Sequence, residues 1–305
     1  MNAASVSGAS AAANARRAPR RAVVDIGSNT VRLTVYDGLP PDYRCIVNTK
    51  SSCRLGRDMA LTGCLSPPGL RRAYKAVGRF IGQALDERAE EIALLATAAV
   101  REATDGPAFC ARIKRRYGRK VRVLAADEEA RLSALGVLAG APEADGIVAD
   151  IGGGSLELAA VAHGRVGSLA SLPLGHIRLY DRSGGDSGRA GPLIDAAFAP
   201  LGWLARGRGR DLCVVGGAWR KLARIHIAGR DIPLDGYALP RAEAEALARA
   251  VLEETARPSR KTGRSQGMAA LLFLRLLAAA EPARVVFTTR GIGDGWLAER
   301  AARGA

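Results

Sequence analysis

The feature that most limits what this chain can fold into is a strand-and-bend that occurs twice. Residues 147–155 read IVADIGGGS, an apolar run leading into an aspartate and a three-glycine turn. A relative, VVDIGSNT at residues 23–30, lies 125 residues earlier, counted from Asp150 back to Asp25. A second strand-like run follows each, at residues 31–36 and 156–161, so each predicts a β-hairpin with a glycine-containing bend. Such a bend can approach an oxyanion closely, because glycine removes the Cβ and successive amides can point inward. Gly27, Ser28, Asn29 and Thr30 in one copy, and Gly152, Gly153, Gly154 and Ser155 in the other, are the candidate phosphate-binding residues. Asp25 and Asp150 bring the opposite charge, which suits a hard divalent cation bridging carboxylate and phosphate oxygens. Two such bends predict two half-molecules facing each other across a phosphate. A dinucleotide fold is disfavoured, since neither copy has its glycine spacing and a strand rather than a helix follows each bend; the Walker pattern is absent.

The remaining chain alternates short strands with amphipathic helices, which predicts α/β packing with the motifs at strand ends lining a cleft. The expected organisation is a basic, disordered tail over residues 1–21, a first domain over 22–126, a second over 127–293, and a terminal helix over 294–305 returning to the first. The segment 51–65 is expected to be a loop over the cleft, and 181–191, rich in glycine, a surface loop. Trp219 follows a third glycine bend at Gly216 and Gly217; a core position is favoured for it over stacking on a base. The chain has no run of about eighteen apolar residues, so a membrane span is not expected. Its formal charge of +15, from 45 basic and 30 acidic residues, favours anionic partners. With no zinc-finger spacing and no aromatic RNA-reading motif, phosphate chemistry ranks above nucleic-acid binding. Five dispersed cysteines and three isolated histidines point away from a disulfide framework and a zinc centre, and toward reduced thiols in the cytoplasm.

With the two Asp-Ile-Gly bends, the stretch Glu128-Glu129-Ala130-Arg131-Leu132 and the segment Gly152-Gly-Gly-Ser155 followed by Glu157, the chain resembles the exopolyphosphatase and guanosine pentaphosphate phosphohydrolase family. That family lies within the actin-like ATPase superfamily. The resemblance implies two ribonuclease H-like α/β domains around an interdomain cleft, in the short form that lacks an appended helical region, and a homodimer. It also implies Mg²⁺-dependent release of orthophosphate from the end of linear inorganic polyphosphate. Glu129 matches the family's general base; from the residues alone, Glu128 and Glu129 are equivalent candidates. Arg101 matches an arginine beside the cleft, whereas by itself it reads as a surface or helix-end residue. Asp25, Asp150 and Glu157 form the expected metal set, and hard oxygen ligands favour Mg²⁺ over zinc without separating it from Mn²⁺. The alternatives are a guanosine pentaphosphate 5′-phosphohydrolase and a phosphate- or nucleotide-binding regulator with weak turnover. The chain departs from the family pattern at Leu156, which stands in place of a hydroxyl residue. It departs again at Gly293, in place of an arginine expected to bind anions.

Overall fold

The computed structural model describes residues 19–256 and 264–304. Most of the expected basic tail, including Arg16 and Arg17, lies outside the described residues, as does most of the basic run 257–264. Among the described residues no helix is long and apolar enough to cross a membrane.

Two sheets organise the chain. The first has the order β3-β2-β1-β4-β5, built from β1 (Arg21–Ile26), β2 (Thr30–Leu39), β3 (Asp42–Ser52), β4 (Glu91–Ala96) and β5 (Val121–Val123). The second has the order β10-β11-β9-β6-β7-β8, from β6 (Gly146–Ile151), β7 (Leu156–Ala162), β8 (Arg165–Leu172), β9 (Asp211–Val215), β10 (Tyr237–Pro240) and β11 (Arg284–Phe287). Each contains an antiparallel meander, β1-β2-β3 or β6-β7-β8, and its first strand pairs on the other side with a parallel neighbour, β4 or β9. The repeated motif is therefore a repeated three-strand unit.

Strand alternation decides where the two aspartates face. In β1, Ala22, Val24 and Ile26 pack into a core with α2 (Pro67–Asp86) and α4 (Gly106–Tyr117), while Val23 packs the other way, with Leu132, Trp296 and Leu297. Asp25 shares the parity of Val23. In β6, Ile147, Ala149 and Ile151 enter the core formed with α8 (Gly217–Ile227), α9 (Arg241–Ala256) and α10 (Arg264–Ala280), while Val148 packs against Ala134, Val137 and Leu138. Asp150 shares the parity of Val148. Both aspartates thus face α5 (Ala126–Leu138), the helix between the two sheets that carries Glu129.

A glycine interlock joins α5 to α11 (Ile292–Gly304). A Cβ at Gly295 would lie 1.8 Å from the Leu132 carbonyl oxygen, and one at Gly136 2.1 Å from that of Gly291. Gly293 and Gly295 both lie within the helix, which starts at Ile292, two residues ahead of the expected 294, because Asp294 accepts the Gly291 amide at 3.0 Å. α11 also packs on β1 and β2. The loop expected over 181–191 is instead the end of α6 (His176–Ser183) and the start of α7 (Ser187–Phe198), where Asp186 accepts the Gly188 and Arg189 amides as an N-cap. The segment expected to be a loop over 51–65 holds a single-turn helix, α1 (Met59–Thr62). Trp219 is fully buried, its indole N–H donating to the Ala269 carbonyl at 2.9 Å.

Candidate active site

The two bends have the same internal bond. Gly27 donates its amide to Thr30 O at 3.0 Å, and Gly152 donates to Ser155 O at 3.0 Å. Each bend is then clamped from behind. The carbonyls of Ser28 and Asn29 accept from the amides of Gly56 (2.9 Å) and of Cys53 and Arg54 (both 2.8 Å). Those of Gly152 and Gly153 accept from the first turn of α6, at His176 (3.2 Å), Ile177 (3.2 Å) and Arg178 (3.1 Å). In a planar trans peptide the N–H opposes the C=O. Tying these carbonyls to the clamps therefore turns the amides of Asn29, Thr30, Gly153 and Gly154 away from them. The bends abut: a Cβ on Gly154 would lie 2.5 Å from Ser28 Oγ, and one on Gly153 3.3 Å from the Asn29 Cβ. All eight candidate phosphate-binding residues line one cavity of about 300 Å³, together with Asp25, Glu129, Asp150 and Glu157.

The carboxylates differ in their surroundings. Asp150 lies directly across from Glu157 in the β6-β7 register, which places both on one face of the sheet. Ser133, one turn beyond Glu129 on α5, donates to Asp150 Oδ2 at 2.5 Å, and Ser171 donates to Glu157 Oε1 at 2.9 Å. Desolvation pushes Glu157 up, and the charges of Glu129 and Asp150 push it further. Glu129 is 3% exposed, and its Oε2 takes a hydrogen bond from Arg101 Nη1 at 2.7 Å. Burial raises its pKa to about 7, against the lowering effect of Arg101. Arg101 also donates to the Leu124 carbonyl at 2.8 Å; it stands behind Glu129 and does not line the cavity. Glu128 turns elsewhere, bonding Arg122 and accepting the Ala125 amide at 3.3 Å. The helix starts one residue ahead of Asp127, so Asp127 sits in its first turn.

Asp25 Oδ1 is buried without a hydrogen-bond partner. Its pKa is raised to about 6, mainly by desolvation, with Arg32 opposing and Asp150 adding to the rise. An orphaned carboxylate oxygen close to a second carboxylate fits a hard cation. Among the described residues, however, no three His, Cys, Asp or Glu side chains are grouped to grip an ion. The expected three-residue cage of Asp25, Asp150 and Glu157 is therefore not built by the protein alone; water and substrate oxygens would have to complete the shell, as Mg²⁺ commonly requires.

Three cavity-lining cations escaped the sequence reading. Arg32 lies directly opposite Asp25 in the β1-β2 register, donates to Asn48 at 2.6 Å and opposes the rise in the Asp25 pKa. Arg220, on α8, donates to the Thr288 carbonyl at 3.2 Å, and desolvation lowers it to about 10. Arg290 stacks over Tyr43, 5.2 Å from the ring centroid, and bonds its hydroxyl. Register could have revealed Arg32, because Asp25 to Arg32 has the spacing of Asp150 to Glu157. The arginine missing at position 293 has no room there: a Cβ on Gly293 would lie 2.6 Å from the Tyr36 hydroxyl. Positive charge enters the cavity from these three arginines instead.

Residues 34–191 match the Ppx/GppA phosphatase family. A guanosine-5′-triphosphate,3′-diphosphate pyrophosphatase of Aeromonas salmonicida is 30% identical over 207 residues, 66% of this chain, which spans 40% of that relative's length. Among solved structures, an exopolyphosphatase from Cytophaga hutchinsonii superposes with a TM-score of 0.83 at 23% identity, covering 94% of this chain and 98% of its own. A Ppx/GppA family member from Aquifex aeolicus gives 0.76 at 21% identity, with 94% and 98% covered. At these identities the two structures establish the fold, two α/β domains of the actin-like kind. The stretch matched by the family model takes in the second bend with its outgoing strand, the latter part of β2, Arg101, Glu129, Asp150 and Glu157, and the chain belongs to the Ppx/GppA phosphatase family.

Proposed function

We propose that this chain hydrolyses a terminal phosphoanhydride and releases orthophosphate. The observation that carries the proposal is the placement of Glu129: a buried carboxylate, raised toward neutrality and fixed by Arg101, on the same cavity as the amides of both bends. Phosphoryl transfer depends chiefly on positioning and charge stabilisation. The bends bind the terminal phosphate oxygens from both sides. Glu129 holds the attacking water by accepting its proton, a role suited to a base whose pKa lies near the working pH. Arg101 acts through Glu129 as a positioning residue. Arg32 and Arg220 balance charge on the phosphates. Asp25 and Asp150, with Glu157 beside them, would hold a divalent cation, Mg²⁺ or Mn²⁺, which when bound supplies charge neutralisation on the phosphoryl oxygens.

Guanosine pentaphosphate is the favoured substrate, on the strength of the nucleotide in the name of the Aeromonas relative. Linear polyphosphate is the second reading, supported by the cations of the cavity. Phosphate release from each, at equal enzyme and Mg²⁺, separates them: a higher rate on the nucleotide supports the first, and a rate confined to polyphosphate replaces it. Mg²⁺-dependent binding of both with no product would leave a regulator and remove the hydrolase.

A further inference from the structure

The outer face of the first lobe carries a positive surface for which the proposed chemistry has no use. There is no Asp or Glu between residues 67 and 85, and none between 106 and 126. These stretches contain α2 and α4, which pack side by side over the first sheet. Between them lies a cavity of about 510 Å³ lined by Arg71, Lys75, Arg112 and Arg116 with Tyr74 and Tyr117. All four cations are exposed, and among the described residues none of them forms an ion pair. The walls are fixed. Tyr117 donates its hydroxyl to the Tyr74 carbonyl at 2.9 Å, close over Gly78, where a Cβ would lie 2.5 Å from that hydroxyl. Pro67 also lines a neighbouring depression, again of about 510 Å³, that holds Arg54, Arg57 and Arg72 with one acid, Asp58, paired with Arg57 at 3.6 Å, so net positive lining continues toward the loop that clamps the first bend.

We propose that the α2-α4 face is an exosite for an extended polyanion, linear inorganic polyphosphate. Unpaired cations this close together repel one another, and a chain charged at every unit relieves that repulsion along its length. Single-stranded nucleic acid is the competing polyanion, and it adds stacking of bases on free aromatic faces. Here guanidinium groups lie over the rings: Arg112 is 4.7 Å from the Tyr74 centroid and Arg116 is 5.6 Å from that of Tyr117. The surface reads charge and not bases. The exosite goes beyond the proposed hydrolysis and does not depend on which substrate the cleft cleaves, because its cations lie on the α2-α4 side of the first sheet and share no lining with the catalytic cavity.

The test uses the full chain carrying Glu129→Gln, with binding read by anisotropy of end-labelled long-chain polyphosphate, so that turnover does not enter. Arg71→Glu with Arg112→Glu should weaken long-chain binding by about tenfold or more. It should also flatten the salt dependence, whose slope is about −3 for four contacts at roughly 0.7 per contact. Binding of tripolyphosphate, and phosphate release from a short substrate by the same pair in an otherwise unaltered chain, should not change. Circular dichroism checks the fold, and Lys75→Gln with Arg116→Gln provides a milder pair. Unchanged long-chain affinity in both pairs would overturn the exosite. So would an equal loss for tripolyphosphate, which would place the effect in the cleft, or tighter binding of single-stranded RNA than of polyphosphate, which would assign the surface to nucleic acid. Absence of hydrolysis in the parent chain itself would remove the proposed hydrolase and leave the binding result standing.

Discussion

The two hairpins share a backbone and differ in what stands across from the aspartate. In the first lobe, Asp25 faces Arg32; in the second, Asp150 faces Glu157. The next strand continues the contrast, with Lys50 opposite Arg32 and Ser171 opposite Glu157. Lys50 is held below its usual range by partial burial and by Arg32, Arg220 and Arg224. One scaffold has thus been given two polarities. At these paired positions the first hairpin presents cations and the second a carboxylate, to which α5 adds Glu129; Arg220 and Arg290 reach the same cavity from the side of the second sheet. A duplicated bend supplies geometry; the residue seven positions on decides the electrostatic role of each half.

The largest effect should come from the acidic side. Glu129→Gln keeps the size but removes the base, and a positioned general base contributes about 10²- to 10⁴-fold. Single-turnover phosphate release with confirmed substrate binding should show that loss, and Glu128→Gln, whose carboxylate serves Arg122 and the Ala125 amide, should cost far less. A Glu129→Gln rate within about twofold of the parent would move the base elsewhere and end the assignment of chemistry to that side.

Exchanging the polarity is the next test. Arg32→Gln removes a charged donor, an interaction of about 1.5–3 kcal/mol, and should raise KM by roughly ten- to hundredfold with a smaller change in kcat. Glu157→Gln should instead lower kcat and shift the Mg²⁺ titration. If both variants change KM alone, the lobes do not divide the work.

The clamps should also respond unequally. A Cβ on Gly175 would lie 2.3 Å from the Gly154 amide nitrogen, backbone that cannot swing aside, whereas one on Gly56 would approach nothing nearer than Ser28 Cβ, at 3.2 Å. Gly175→Ala should destabilise the protein by about 1–3 kcal/mol in denaturant titration, and Gly56→Ala by clearly less. Equal costs would mean that the bends depend equally on what lies behind them.

The last effect, confined to acid pH, concerns His176, which opens the second clamp and has no counterpart in the first. Burial lowers its pKa from 6.5 to about 4. As pH falls below 6.5 the unfolded chain takes up this proton while the folded chain does not. Its contribution is therefore complete above pH 6.5 and lost progressively toward pH 4, at no more than about 1.4 kcal/mol per pH unit. Stability curves of the parent and His176→Gln should converge as pH falls through this window. Parallel curves would show that the imidazole is not desolvated.

The hairpins and their bends were legible because strand period and glycine spacing are local properties, whereas Glu129 was set apart from Glu128 by the family resemblance alone. Arg32 is equally legible through register, seven residues after Asp25 as Glu157 is after Asp150, although an arginine in place of the carboxylate hides the equivalence. Arg220 and Arg290 were not legible: each reaches the cavity from an element whose place depends on packing far away in the chain. The α6 start was hidden by glycines that read as loop, yet Asp186 caps the next helix and Gly175 is needed for contact with Gly154. The α11 start was likewise masked by glycines that serve close packing on α5 and Tyr36.

The seam between α5 and α11 also has a kinetic consequence. Tyr43 and Asp294, bonded at 2.9 Å, are 251 residues apart, and α11 returns to β1 and β2 after the whole second sheet has intervened. Contacts of such long sequence separation carry a large loop-closure entropy and tend to form late. Both sheets can acquire their strands before this seam closes, while the helix bearing Glu129 still lacks one of its two supports. During refolding, far-ultraviolet dichroism should therefore recover ahead of phosphate release, the delay between them timing the arrival of the last helix.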